Sequence, residues 1–164
     1  MSQLCTEFEL LDESKSIDFA GFIAGLVDEM NGFEKGMIFY LYGDLGAGKS
    51  FFSRAFVQYY IPGQKVKSPT YTIVESYNFS TNTIHHLDLY RLCDPEELEY
   101  LAVRDLLKEN FVALIEWPQK GAPILPTTDV EFEFVYVPQG RIVKIKSISE
   151  KGKSLVEKIM LKTK

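Results

Sequence analysis

The stretch Gly43-Asp44-Leu45-Gly46-Ala47-Gly48-Lys49-Ser50 constrains this chain more than any other. Its glycines let successive backbone N–H groups turn inward, and its spacing fits G-x-x-x-x-G-K-[ST], a loop that surrounds phosphate oxygens. Lys49 supplies a compact point charge for the β- and γ-phosphates, and the Ser50 hydroxyl is placed to ligate Mg²⁺. The flanks agree. Met37 to Tyr42 is a short apolar run that predicts a buried strand. Phe52, Ala55, Phe56 and Tyr59 follow at helical spacing. A strand, a glycine loop and a helix are what phosphate binding at a helix N-terminus needs.

The rest of the chain is read around that unit. Phe8 to Leu11 predicts a short first strand, and Ser16 is the expected N-cap of a helix running to about Met30, ended by Asn31-Gly32. Pro62-Gly63 stops the helix after the loop. Ile73 to Phe79 and Thr83 to Leu89 predict a hairpin across Ser80-Thr81-Asn82. Asp94-Pro95-Glu96-Glu97 reads as a capping box opening a helix through Leu98 and Leu101, with a second piece at Leu106 and Leu107. Phe111 to Glu116 predicts a central buried strand. Val130 to Val137 and Arg141 to Lys146 alternate with period two, turned by Gly140. A last helix carries Leu155, Val156, Ile159 and Met160. The expected fold is α/β, a three-layer αβα arrangement like that of P-loop NTPases, with a parallel central sheet and antiparallel additions. One domain over residues 1–164 is expected, the basic strand and helix 141–164 included.

Composition excludes some classes. No apolar run approaches 18 residues, and Met1 to Asp12 lacks the basic start and apolar middle of a signal peptide. Cys5 and Cys93 have no metal or redox spacing, so two reduced thiols and a cytoplasmic location are expected. The net charge of −5 argues against free-standing nucleic-acid binding. It is unevenly spread: residues 141–164 carry eight basic and two acidic side chains, a net +6, which leaves −11 on residues 1–140. A basic tail on an acidic body suggests a docking surface or simply a solvated helix.

A phosphate loop needs acids beside it, at the carboxyl ends of neighbouring strands. Glu116 follows the four apolar residues Val112 to Ile115 and is the candidate second metal residue. Asp88, after Ile84-His85-His86-Leu87, is the candidate for orienting or deprotonating the attacking water, or else a cap or a partner for Arg91. Thr70, in the Pro-stiffened Ser68-Pro69-Thr70, takes the place of a phosphate-sensing switch, or is an ordinary turn threonine. His85 and His86 face opposite sides of a strand, so one of them is expected beside the site. Trp117 can stack on a base or a partner, or fill the core. Arg91 can act on phosphate charge or pair with Asp94 or Glu97. No Asn-Lys-x-Asp motif is present to read guanine, which favours adenine, and no arginine-rich lid stands between Pro95 and Pro126. The residues leave three readings open: an ATPase, a small-molecule or nucleoside kinase, and a nucleotide-gated adaptor without turnover.

Five motifs then combine in order: Gly43 to Ser50, Ser68-Pro-Thr-Tyr-Thr-Ile-Val-Glu75, His86-Leu-Asp-Leu-Tyr-Arg-Leu92, Asp94-Pro-Glu-Glu-Leu-Glu99 and Leu114-Ile-Glu-Trp-Pro118. Together they closely resemble the bacterial TsaE family of tRNA threonylcarbamoyladenosine biosynthesis ATPases, over about residues 36 to 145. The resemblance implies a small P-loop ATPase, weak alone, that works with the TsaD and TsaB proteins. These place a threonylcarbamoyl group on N6 of adenosine 37 in tRNAs that read codons beginning with A. It implies that the transfer belongs to TsaD, that the ATPase resets the complex, and that tRNA is met only through the complex. Carried over, Gly43, Gly46, Ala47, Gly48, Lys49, Ser50, Phe51 and Arg141 contact ATP, and Ser50 and Glu116 hold Mg²⁺. Asp88 and Thr70 serve hydrolysis with Lys49. Ser50 stands where Thr is commoner, which keeps the hydroxyl.

Overall fold

The computed structural model describes residues 3–163; Met1, at the head of the N-terminal stretch, and Lys164, in the basic tail, lie outside them. In chain order the elements are β1 (Cys5–Leu10), α1 (Glu13–Glu29), α2 (Gly32–Lys35), β2 (Met37–Tyr42) and α3 (Lys49–Tyr60). Then come β3 (Val74–Phe79), β4 (Asn82–Asp88), α4 (Glu97–Tyr100), α5 (Val103–Leu106) and β5 (Phe111–Glu116). A 3-10 turn (Pro118–Gly121), β6 (Val130–Val137), β7 (Gly140–Ser147) and α6 (Glu150–Lys162) complete the chain.

All seven strands form one sheet in the order β1-β7-β6-β2-β5-β4-β3. Its centre is parallel: β2 pairs with β5 and β6, and β4 pairs with β5. The outer pairs β3–β4, β6–β7 and β1–β7 are antiparallel. The fold is α/β, as the pattern predicts. Strand β5 is buried along its whole length, as a central parallel strand must be.

Alternation along the strands divides the core. Met37, Phe39 and Leu41 of β2 face one way, with Val112 and Leu114 of β5, toward α1, α3 and α6. Phe39, Phe52, Phe56 and Phe132 are fully buried there, and their rings lie within 5.2–6.3 Å of one another in edge and tilted pairs. Burying each ring contributes about 1.5–3 kcal/mol. Ile38, Ala113 and Ile115 face the other way, under Leu98 of α4 and Val103 of α5. That second layer is thin. Over β6, β7 and β1 the same sheet face is open, with Glu7, Glu133 and Lys144 exposed.

Several boundaries differ from expectation. The first helix begins at Glu13, because the Asp12 carboxylate accepts the Lys15 N–H at 2.9 Å; Ser16 is one turn inside and buried. Asn31 does break that helix, in the left-handed region, but Gly32 opens α2 rather than a loop. Strand β1 starts earlier, at Cys5, drawn into register by β7. Strand β3 starts at Val74, because Ile73 has φ 69° and gives its N–H to the Pro69 carbonyl. The reciprocal cap at Asp94 forms: its carboxylate accepts the Glu96 N–H, and Glu97 accepts the Asp94 N–H. The helix it opens is only one turn long. Leu98 and Val103 are the buried anchors there, too few to sustain a long amphipathic stripe, and Ala102 breaks the run at φ 52°.

The basic C-terminal helix is no free tail. Ser149 caps α6 by accepting the Gly152 N–H, and Leu155, Val156 and Ile159 are fully buried against the sheet. Both cysteines are free and exposed. Among the described residues no helix is long and apolar enough to cross a membrane.

Candidate functional site

The loop between β2 and α3 is held in a shape that three glycines permit. Gly43, Gly46 and Gly48 have φ of 143°, 79° and 118°. A side chain at Gly46 would also bring its Cβ to 2.7 Å from the Tyr136 hydroxyl. Strand β7 braces the loop: Arg141 Nη2 donates to the Gly46 carbonyl at 3.2 Å, with its guanidinium 5.4 Å from the Tyr136 ring centre. The Arg141 Nε is buried and has no partner among the described residues. Lys49, Ser50 and Phe51 form the first turn of α3, where backbone N–H groups have no partner within the helix. The positive end of the helix dipole points the same way.

Lys49 is buried. Its Nζ donates to the Gly43 carbonyl and lies 4.0 Å from the centre of the Trp117 ring. Burial lowers its pKa, against the opposing pull of Glu116, Asp88 and Asp44. Trp117 holds that place through a left-handed backbone, φ 57°, directly after β5.

Sheet register brings the two acids together. Asp88 and Glu116 are paired residues at the carboxyl ends of the parallel strands β4 and β5. Glu116 is 2% exposed. Its two oxygens accept from Ser50 Oγ at 3.1 and 3.2 Å, and Oε2 lies 2.6 Å from His86 Nε2. Asp88 accepts the Tyr90 N–H at 3.0 Å. Burial raises its pKa and the Glu116 charge adds to this, while the Tyr90 N–H, His86 and Lys49 draw it down.

The Ser68–Tyr71 segment closes the site from the β3 side. Ser68 and Thr70 hydroxyls are 2.7 Å apart; the Ile73 N–H donates to the Pro69 carbonyl and the Asp88 N–H to the Ile73 carbonyl, so the segment is linked to β4 through Ile73. Arg91 pairs with neither Asp94 nor Glu97: its guanidinium lies 4.9 Å from the ring centre of Tyr71, whose side chain is 84% exposed.

A cavity of about 390 Å³ joins these parts. Gly46, Gly48, Lys49, Ser50, Phe51, Thr70, Asp88, Glu116 and Arg141 line it. Gly43 and Ala47 stand behind it, Gly43 through its carbonyl to Lys49 and Ala47 buried under the loop. Glu13, Ser16, Tyr90 and Arg91 also line it; Glu13 and Ser16 come from the N-terminal helix, which sequence spacing alone did not bring to the loop. Of the two histidines, His86 faces the site and His85 turns away to Ser76, 2.8 Å from its hydroxyl. Burial lowers the His85 pKa. Among the described residues no cluster of three His, Cys, Asp or Glu side chains forms a metal cage. A cation here would meet one hydroxyl and one carboxylate, Ser50 and Glu116, and complete its shell with substrate and water oxygens. Mg²⁺ is commonly bound that way.

Comparison with known proteins agrees with the motifs. The family model of the threonylcarbamoyl adenosine biosynthesis protein TsaE matches residues 12–143, and so takes in the N-terminal helix as well. The tRNA threonylcarbamoyladenosine biosynthesis protein TsaE of Haemophilus influenzae is 43% identical over 123 residues, 75% of this chain and 78% of that one. That of Rickettsia bellii is 35% identical over 132 residues, 80% of this chain and 87% of that one. The crystal structure of Bacillus subtilis YdiB superposes with a TM-score of 0.70 across 99% of this chain and 97% of its own, at 19% identity, a likeness of fold. By the family match and these identities, the chain belongs to the TsaE family of tRNA threonylcarbamoyladenosine biosynthesis proteins.

Proposed function

We propose that this chain binds ATP with Mg²⁺ and hydrolyses it in the cytoplasm, in support of threonylcarbamoyl transfer to N6 of adenosine 37 in tRNAs reading codons that begin with A. The observation that carries this reading is the convergence of Lys49, Ser50, Asp88 and Glu116 on one cavity beside the glycine loop. The loop N–H groups and Lys49 hold the phosphates. Ser50 and Glu116 are the oxygen donors that suit Mg²⁺, which when bound neutralises phosphate charge. Asp88 has the raised pKa and buried position of a group that accepts a proton from water. The Thr70 hydroxyl, in the segment tied to Asp88, senses the terminal phosphate.

The transfer itself belongs to TsaD and TsaB in this reading, and tRNA is met through them. The docking face is the segment around Thr70 and Asp88, where Tyr71 and Arg91 stand exposed. The basic C-terminal helix offers its solvent face as a second contact, while its apolar face stays in the core. Truncation before Ser149 would therefore unfold the protein rather than test docking. Lys158→Glu with Lys162→Glu tests that contact, and Asp88→Ala and Tyr71→Ala test the main face; unchanged capture of TsaD and TsaB by all of them sinks the docking model.

Phosphate release from Mg²⁺-ATP, measured with and without TsaD and TsaB, tests the activity. Slow release alone and faster release in the complex is expected. No release in either condition favours a nucleotide-gated adaptor, and phosphorylated product in a metabolite pool favours a kinase.

A further inference from the structure

We infer that His86 is a positioning residue that holds the carboxylate of Glu116 ready for a divalent cation. The inference rests on the reading of Ser50 and Glu116 as the metal residues.

Strand β4 places Ile84, His86 and Asp88 on the face that carries the loop. Ile84 fills core, and Asp88 lines the cavity. His86 stands between them and is 1% exposed, where an apolar side chain would pack without cost. Its register partner on β5 is Leu114, so the ring reaches diagonally, two residues along, to Glu116. There Nε2 comes within 2.6 Å of Glu116 Oε2. The other ring nitrogen, Nδ1, is buried and has no partner among the described residues. Among the described residues, the imidazole's one side-chain contact of hydrogen-bonding length is thus to the Glu116 carboxylate.

That contact comes from the neighbouring strand to Oε2 alone, while the Ser50 Oγ lies 3.1 and 3.2 Å from the two oxygens, so Oε1 has no histidine contact. With the Ser50 hydroxyl as its one hydrogen-bond partner and the Lys49 charge nearby, a buried carboxylate would still be less firmly fixed in orientation. Held from behind by a flat ring, it keeps one rotamer and has less freedom to lose when a cation arrives. Partners of this kind behind a metal ligand are worth about 10–100-fold in metal affinity.

The test is Mn²⁺ binding to the ADP-saturated protein, followed by electron paramagnetic resonance. His86→Leu should weaken Mn²⁺ binding about 10–100-fold. Its ADP affinity in EDTA should stay at the wild-type value. Should His86→Leu not fold, two polar variants carry the test. His86→Gln places an amide near the Nε2 position and should bind Mn²⁺ close to wild type; His86→Asn is too short and should bind it weakly. Equal Mn²⁺ affinity in folded wild type and His86→Leu, or in the Gln and Asn variants, overturns the positioning role. If wild type takes up no Mn²⁺ beside ADP, the metal reading itself fails and this inference falls with it.

Discussion

Lys49 Nζ lies 4.0 Å from the centre of the Trp117 ring and donates to the Gly43 carbonyl. Both contacts compete with phosphate for the same ammonium. Trp117 is the sole tryptophan of the chain, so its fluorescence reports on this competition directly. Titration with ADP should change the emission of the wild-type protein. Lys49→Ala should abolish the response and weaken nucleotide binding at least about 100-fold, near 2.7 kcal/mol. Cells carrying only that variant should lose the tRNA modification; if the modification persists, the phosphate role of Lys49 is wrong.

Asp88 combines burial with a neighbouring acid, and its pKa is raised. A raised folded-state value means that the native protein binds this proton more tightly than the unfolded chain does. The resulting stability is full below the ordinary value of 3.8 and is lost as pH rises through the raised folded value. Asp88→Asn removes that loss. It should raise Tm near neutral pH by about 2–4 °C and abolish phosphate release. Thermal melts across pH should show the advantage of the variant shrinking on acidification; an advantage that does not change with pH would contradict the assignment.

Glu116→Gln keeps shape and removes charge. The Ser50 hydroxyl can still meet an oxygen, but a divalent cation loses its anionic partner. Phosphate release at saturating Mg²⁺ should fall at least about 100-fold, in keeping with several kcal/mol of charge stabilisation. Binding of ADP in EDTA should be unchanged or slightly tighter, as repulsion between carboxylate and phosphate is relieved. Calorimetry with and without Mg²⁺ separates the two effects.

Gly46→Ala meets two obstacles, a backbone at φ 79° and the Tyr136 hydroxyl. The backbone alone costs an alanine about 1–2 kcal/mol. Nucleotide affinity should fall at least tenfold. Adding Tyr136→Phe removes the clash and leaves the backbone strain, so affinity should recover in part. Full recovery would mean that the loop tolerates the backbone change.

Gly152 separates stability from chemistry. A Cβ there would overlap the Asp129 backbone, so Gly152→Ala must push α6 off the start of β6. A loss of about 1–3 kcal/mol is expected in denaturant unfolding. ADP affinity of the folded fraction should be unaltered, because α6 contributes no residue to the cavity.

Much of this was readable from local pattern. Met37–Tyr42, Phe111–Glu116 and the period-two strands β6 and β7 carry their structure in their own residues. The loop, Asp88, Glu116 and Thr70 could be placed because strand ends and a glycine loop imply a common edge. What could not be read depends on contacts distant in sequence. Asp12 outcompetes Ser16 as a cap, β7 lengthens β1, and α4 stays short for want of buried anchors. Glu13 and Ser16 reach the cavity through the packing of α1 on α3, which no spacing within the chain encodes. Arg91 has nearby acids on offer and takes the Tyr71 ring instead. Of the adjacent histidines, alternation lets one alone face the site, and it is His86, two residues from Asp88 on the same face of β4; that its ring reaches Glu116 depends on the register of β4 on β5.

That register makes the site a matter of parity. His86 and Asp88 face the loop because they fall on even steps of β4, opposite Leu114 and Glu116. A slip of one residue would turn His85 and Leu87 inward and send both polar groups to the far face. A slip of two would restore the face but shift each group by one pleat, setting Tyr90 or His86, according to direction, where Asp88 stands. Insertions or deletions within β4 therefore cannot be absorbed by gradual adjustment. Variation in this chain has room to act in the Ser80-Thr81 turn and beyond Leu92, while the strand between them keeps its length.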